Sequence, residues 1–305
     1  MFWRIKNKKG IFFTMIVILI VSLLVVSYTF YSYIEERKAI QKRIETMNNF
    51  ISSLEQDIPR KLFISGFRAV FTFENKIVDS GAYILNVNSA FQEIFYNGTF
   101  GNQAQPIMIG ATFSDIKNDL NTNGKKININ ISVTNPQVLI DQIDPWNVRV
   151  TLIANFIISD DSNLASWNKT LNTSGIIPIL YFDDPVYLLN TQGLIANKIN
   201  KTIYTSFNSA SLLNHTTSQS YINSTEAPSF LDRLQGSLSS NSPNGIESLV
   251  NIQKLEAQGL QVYQKSIVDH IYFSSADPSK CHVSGQPAWF YLDNNHLPTY
   301  QASCG

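Results

Sequence analysis

Thiols are scarce: Cys281 and Cys304 are the only cysteines in 305 residues, and both lie near the C-terminus. His282 adjoins the first and His296 lies between them, but the spacing matches no paired C-x-x-C or H-x-x-x-H zinc pattern. A disulfide is therefore expected, with a metal site at these residues as the alternative. Closing a loop of about 24 residues stabilises a chain by roughly 3 to 3.5 kcal/mol through chain entropy, and such bridges persist in oxidising compartments. Also missing are G-x-S-x-G, H-E-x-x-H, a P-loop and G-x-G-x-x-G, the motifs of serine, zinc and nucleotide chemistry. No catalytic residue, cofactor or metal is expected on that basis. Histidine is limited to His215, His270, His282 and His296. His215 lies in a polar stretch and reads as solvated, whereas His270, beside Asp269 and an apolar run, reads as partly buried and structural.

Charge is absent from one long run. Ile11 to Tyr33 contains no ionisable Asp, Glu, Lys or Arg, and roughly 20 such residues at about 1.5 Å each span the 30 Å hydrocarbon core as a helix. The run exceeds a secretory core of about 7 to 15 residues, and no A-x-A-like cleavage site follows it. Arg4, Lys6, Lys8 and Lys9 precede it without an acid, which places the N-terminus in the cytoplasm and the remainder outside. The neutral chain divides accordingly: beyond those four cations, 19 Lys and Arg face 23 Asp and Glu. An exterior of about −4 without a basic cluster excludes nucleic acid as a partner. The bilayer itself is the first partner, its headgroups facing the basic segment.

After the span, Ile40, Ile44, Met47, Ile51, Leu54 and Ile58 form a helical seam, suited to a short coiled coil or to packing on the chain's own head. Pro59 is expected to kink or end this helix, and a second helix to run over 60–79, with Gly66 allowing close packing. Short helices are expected over 89–96 and 114–120, the latter capped by Ser114. The period then falls to two: Ile127, Ile129, Ile131 and Val133 predict one strand, Val148 to Ile158 a second, and 166–181 a third, interrupted by Gly175 and Pro178. Short polar connections favour an antiparallel meander. A loop is expected over 200–224, helices over 229–238 and 245–257, a last strand over 266–273, and a tail pinned by the cysteines. Asp160-Asp161 and Asp183-Asp184 read as turn residues, and Trp146, Trp167 and Trp289 as packing residues. Seven N-x-[ST] sequons, at Asn97, Asn130, Asn168, Asn172, Asn200, Asn214 and Asn223, are compatible with exterior glycosylation.

The class is thus α+β: a basic segment (1–10), a transmembrane helix (11–33), stalk and packing helices (34–80), and an extracytoplasmic head (81–305) with an antiparallel meander and several helices. Lys8-Lys9-Gly10 followed at once by the apolar run, with Phe13-Thr14 in its opening turn, resembles the class III signal peptide of type IV pilins and archaeal pilin-like surface proteins. The resemblance covers about the first 35 residues. It implies cleavage between Gly10 and Ile11 by a prepilin peptidase, and packing against itself or other pilin-like subunits. A plain uncleaved signal anchor is the alternative. The chain departs from bacterial pilins at Met15, where they carry a Glu that registers subunits, and this speaks against a bacterial-style fibre. Asp144-Pro145-Trp146-Asn147-Val148, Ala165-Ser166-Trp167-Asn168 and Phe182-Asp183-Asp184-Pro185 in the head are similar to segments of single-span archaeal surface proteins. Together these imply a pilin-like structural or adhesive protein. A membrane-tethered hydrolase and a solute or cell-wall binding module are the alternatives.

Overall fold

From Lys8 to Ser80 the backbone forms one α-helix, α1 (Lys8–Ser80). The computed structural model describes residues 8–162 and 164–305. Arg4 and Lys6, and the side chains of Lys8, Lys9 and Ile11, lie outside that description, as does Asn163 in the loop after Asp161. Gly10 is in the helix, with open space around it. The first third of α1 is exposed, from Phe12 through Ile34, and it is the one helix among the described residues long and apolar enough to cross a membrane.

Pro59 neither ends this helix nor divides it in two, contrary to expectation. The ring removes one hydrogen bond and costs about 3 kcal/mol in a helix interior. On either side of it Leu54, Ile58 and Leu62 are buried, each contributing about 1.5–3 kcal/mol, so burial outweighs the lost bond. The residues expected as a second helix are the continuation of α1.

Asn86 caps α2 (Val87–Asn97), which ends at left-handed Gly98. The hairpin β1 (Thr99–Phe100) and β2 (Gln103–Ala104) leads to α3 (Phe113–Lys125). Its cap is Thr112 rather than Ser114: Thr112 Oγ1 accepts from the Asp115 backbone N–H, and Asp115 Oδ2 accepts from the Thr112 N–H. That reciprocal box satisfies two orphan donors at once.

Three long strands follow, β3 (Ile129–Asp144), β4 (Asn147–Asp160) and β5 (Ser166–Pro178), paired antiparallel in that order. The ladder shifts register between Thr134 and Gln137, where Asn135 takes a positive φ, as at a β-bulge. Ile131, Ile140, Val150, Leu152, Phe156 and Ile177 are buried, the alternate positions Leu139, Ile157 and Ile176 exposed. The buried face lies on α1 along β5 and β4, and on α2 and α3 along β3. Gly175 of β5 meets the helix backbone at Pro59 and Phe63, and Gly66 of α1 meets Val150 and Ile177 of the sheet. Ion pairs Arg43–Asp160 and Lys169–Glu55 join the helix to the strands; Asp160, at the end of β4, is buried and also accepts from the Ser162 and Leu164 backbone N–H groups, as its turn position leads one to expect.

The remaining chain has short elements: α4 (Pro185–Asn190), α5 (Ser209–Ser218), β6 (Tyr221–Asn223), α6 (Phe230–Gln235), β7 (Ile246–Ser248), α7 (Ile252–Ala257), α8 (Asp269–Tyr272), β8 (Lys280–His282) and β9 (Tyr291–Asp293). β6 pairs with β7 and β8 with β9, both antiparallel. Tyr187, Leu249, Val268, Phe290, Leu292 and Tyr300 belong to a second hydrophobic cluster in this C-terminal part. Three expectations fail here. The polar stretch 200–224 contains α5, because its Asn208 and Ser211 form a capping box instead of loop structure. Residues 245–251 begin as strand β7, whose three residues are all buried and so carry no helical stripe. Over 266–273 a single bridge, Leu249 with Val268, precedes the short helix α8.

Cys281 and Cys304 are disulfide-bonded, with Cα atoms 5.6 Å apart. The bond and the bridge of Val283 to Cys304 hold the tail on the β8–β9 hairpin. Replacing both cysteines by serine is expected to lower stability by about 3 kcal/mol; denaturant unfolding of the full chain, with and without reductant, measures it.

Candidate functional site

Arg233 of α6 is the largest fully buried side chain. The capping box of Ser229 and Asp232 starts its short helix and places the guanidinium among acids from two other elements. Arg233 Nη1 donates to Asp184 Oδ2 at 2.6 Å and Nη2 to Asp269 Oδ1 at 2.9 Å, while Nη2 also donates to the Ile246 carbonyl. Asp184 Oδ2 further accepts from the Tyr221 hydroxyl at 2.7 Å, and Asp269 Oδ2 from the Ser248 hydroxyl at 2.8 Å. Asp184 bonds local backbone as its turn position leads one to expect, its Oδ1 accepting from the Val186 N–H as the N-cap of α4, and it is fully buried. Burial opposes charge on Asp269, but Arg233 holds it below the ordinary carboxylate range. Burial pushes Asp184 up, against the pull of Arg233.

Next to this network, Glu247 of β7, His270 of α8 and His296 of the tail converge, with one ligand atom from each lying within 4.8 Å of the others. Glu247 Oε2 is 3.3 Å from His296 Nε2 and 3.9 Å from His270 Nε2. Neither contact has hydrogen-bond geometry, and both Glu247 oxygens and both Nε2 atoms are buried without a hydrogen-bond partner. The other ring nitrogens are engaged: His270 Nδ1 lies 3.1 Å from the Leu238 carbonyl and His296 Nδ1 2.8 Å from Asp293 Oδ1. Asp293 Oδ2 in turn accepts from the Ser266 hydroxyl at 2.7 Å. Burial opposes charge on His296, yet the flanking carboxylates Asp293 and Glu247 push it up to about 10; burial lowers His270.

His215 is not solvated. It is fully buried on α5, its Nδ1 3.1 Å from Thr202 Oγ1 and its Nε2 unpartnered, and burial lowers it to about 4. Its ring lies 5.8 Å from that of Tyr300. Among the residues that can hold a metal, His296 is thus joined by Glu247 and His270. The other residues of the alternative metal reading are taken up elsewhere, Cys281 and Cys304 by the disulfide and His282 Nε2 by the Gln286 and Pro287 carbonyls.

The helical seam divides. Met47, Leu54 and Ile58 are buried in the head, Ile40 and Ile51 are half-buried, and Ile44 is exposed. All seven sequon asparagines are exposed. Trp146, Trp167 and Trp289 pack against the hydrophobic clusters. Sequence reasoning missed Arg233, Asp184 and Glu247 as site residues because they come from different short elements and share no spacing; the pair Asp269-His270 was the single local signal.

One acid outside this site carries a pH dependence. Glu74 of α1 is buried, with Oε1 unpartnered, and burial and then the Asp183 charge push it up to about 9. From the ordinary value of 4.5 to about 9 the folded chain holds a proton that the unfolded chain has released, so stability is greatest below 4.5 and falls as pH rises to about 9. Glu74→Gln is expected to flatten that slope and to raise stability at pH 8 by at least about 1.4 kcal/mol, the equivalent of one pKa unit; thermal unfolding from pH 5 to 9 measures it.

No family model matches the chain, and neither the curated proteins nor the solved structures contain a match to it.

Proposed function

We propose that the chain is a membrane-anchored, pilin-like structural or adhesive protein, with its N-terminus in the cytoplasm and its head outside the membrane. The observation that carries this reading is that one helix serves two purposes: its exposed apolar third is long enough to span a bilayer, and its later turns form the spine against which the three-stranded sheet packs. Helix-on-sheet packing of this kind, with a disulfide closing the C-terminal region, is what a pilin-like subunit needs to present a rigid head from a lipid-held helix. The basic residues before the span support the orientation, and the exterior disulfide and exposed sequons are in keeping with it. Lys8-Lys9-Gly10 supports processing by a prepilin peptidase.

Mass analysis of the N-terminus of protein purified from its own membrane tests the reading. A mature chain beginning at Ile11 is expected, and an intact Met1 would remove prepilin processing from it. Self-association is assigned to the membrane-proximal part of the seam, where Ile44 is left exposed. Ile44→Asp is accordingly expected to abolish the multimers trapped by crosslinking in native membranes, and a monomer in both forms would refute assembly through the stalk.

A second reading, a solute or cell-wall binding module, is favoured by two adjoining depressions that share Tyr263. One, of about 430 Å³, is lined by Tyr272 and Phe273; the other, of about 350 Å³, by Trp289 and Tyr291. Aromatic faces of this kind stack on apolar or sugar rings.

A further inference from the structure

We propose that Glu247, His270 and His296 hold a divalent transition-metal ion of the zinc type. Three strands of observation carry this, and none depends on the pilin-like reading.

The first is unsatisfied valence. Buried polar atoms are almost always hydrogen-bonded, because leaving one bare costs about 1–3 kcal/mol. Here two carboxylate oxygens and two imidazole nitrogens are bare within one cluster. A proton on His296 would serve Glu247 at most at one oxygen and would leave His270 Nε2 unserved. A metal ion satisfies all three side chains together.

The second is geometry. Tetrahedral ligands at zinc bond lengths of about 2.0–2.1 Å lie about 3.4 Å from one another, and Glu247 Oε2 is 3.3 and 3.9 Å from the two Nε2 atoms. The imidazoles are oriented from behind. When a ligating histidine donates its other N–H to a carbonyl or carboxylate, the tautomer and ring plane are fixed for metal binding. His270 Nδ1 faces the Leu238 carbonyl and His296 Nδ1 faces Asp293, itself held by Ser266. A carboxylate, an imidazole and a metal would then stand in line at His296.

The third is charge. Asp184, Glu247, Asp269 and Asp293 are all buried, and the guanidinium of Arg233 bonds Asp184 and Asp269, which leaves Glu247 and Asp293 with His296 alone between them. Buried charge must be compensated, and a divalent ion on Glu247 supplies what the protein's own cations do not. Two imidazoles and a carboxylate form an N/O donor set that suits zinc and its neighbours rather than calcium or magnesium. The burial of all three ligands marks a structural role. The ion would tie β7, α8 and the C-terminal tail together in the same part of the chain as the disulfide.

The test uses the full chain in detergent, stripped with chelator, incubated with zinc sulfate or cobalt(II) chloride alone and desalted. One zinc per chain is expected, with a raised thermal transition because the ion binds the folded state, and cobalt(II) is expected to give visible ligand-field bands. Glu247→Gln and His270→Gln are each expected to retain less than a tenth of an equivalent. Wild type that retains less than a tenth of an equivalent and shows no thermal shift overturns the proposal. So do folded variants that retain as much as wild type, which would place the metal elsewhere. Should the variants fail to fold, X-ray absorption of the zinc-loaded wild type decides: two imidazoles in the coordination shell support the site, and none overturns it.

Discussion

Arg233→Met is expected to destabilise the protein by about 3–5 kcal/mol, the cost of removing one partner from a buried ion pair. Methionine replaces the apolar stem adequately, so the loss comes from the acids left behind. Asp184 and Asp269 are fully buried and the guanidinium bonds both. Without it Asp184 keeps Tyr221 and the Val186 N–H, and Asp269 keeps Ser248 and the His270 N–H, but neither has a countercharge. Arg233→Lys should recover only part of the loss, because an ammonium on a flexible stem cannot reproduce a fork that spans two carboxylates and a carbonyl. Combining Arg233→Met with Asp184→Asn should recover more, since it removes one of the two orphaned charges. Denaturant unfolding of the four proteins measures the series. A loss below about 1 kcal/mol for Arg233→Met would mean that the site is open to water, because exposed pairs are worth that little.

The second large effect belongs to a position without a side chain. A Cβ on Gly175 would stand 2.5 Å from the Phe63 nitrogen and 2.8 Å from the Pro59 carbonyl oxygen, both α1 backbone. Backbone cannot turn aside, so Gly175→Ala must lift β5 from the helix. Its expected cost is about 3 kcal/mol, the upper part of the range for overpacking. Gly66→Ala faces the same interface from the other side but meets the ends of Ile177 and Val150, which can rotate, and it should cost nearer 1 kcal/mol. Thermal unfolding of the two variants in parallel gives the comparison. Equal small losses would show that helix and sheet stand further apart than this contact requires.

The contrast between the two halves of the chain explains what the sequence reveals. The apolar span, the alternation of Ile129, Ile131 and Val133, and the alternation of Val148 to Ile158 are each repeated many times over, so the period survives a few exceptions. The continuity of α1 was hidden because Pro59 is a strong local signal, whereas the burial of Leu54, Ile58 and Leu62 that overrides it is supplied by strands β4 and β5, more than 80 residues downstream. In the C-terminal part the elements are three to ten residues long, too short for a period to develop, and they are placed by buried polar contacts between distant residues. His215 illustrates this: its Asn- and Thr-rich neighbours read as solvated, yet they cap a helix that carries the imidazole inside. Glu247 sits in a stretch whose residues are buried on every side, where polarity of one side chain marks a partner rather than a surface.

The unbroken course of α1 also sets how the head is carried. Between Ile34 and Arg43, whose guanidinium pairs with Asp160 of the sheet, the helix rises about 14 Å. With the apolar third in a bilayer, that segment fixes a standoff height. It has no hinge of glycine or loop, so the head cannot swivel independently of its anchor. Any tilt of the membrane segment is copied by the head, and a pull on the head is delivered along the axis of the same rod into the lipid. Cutting the chain just below Met47 would free the head with its core whole, whereas a cut ten residues later would remove part of that core.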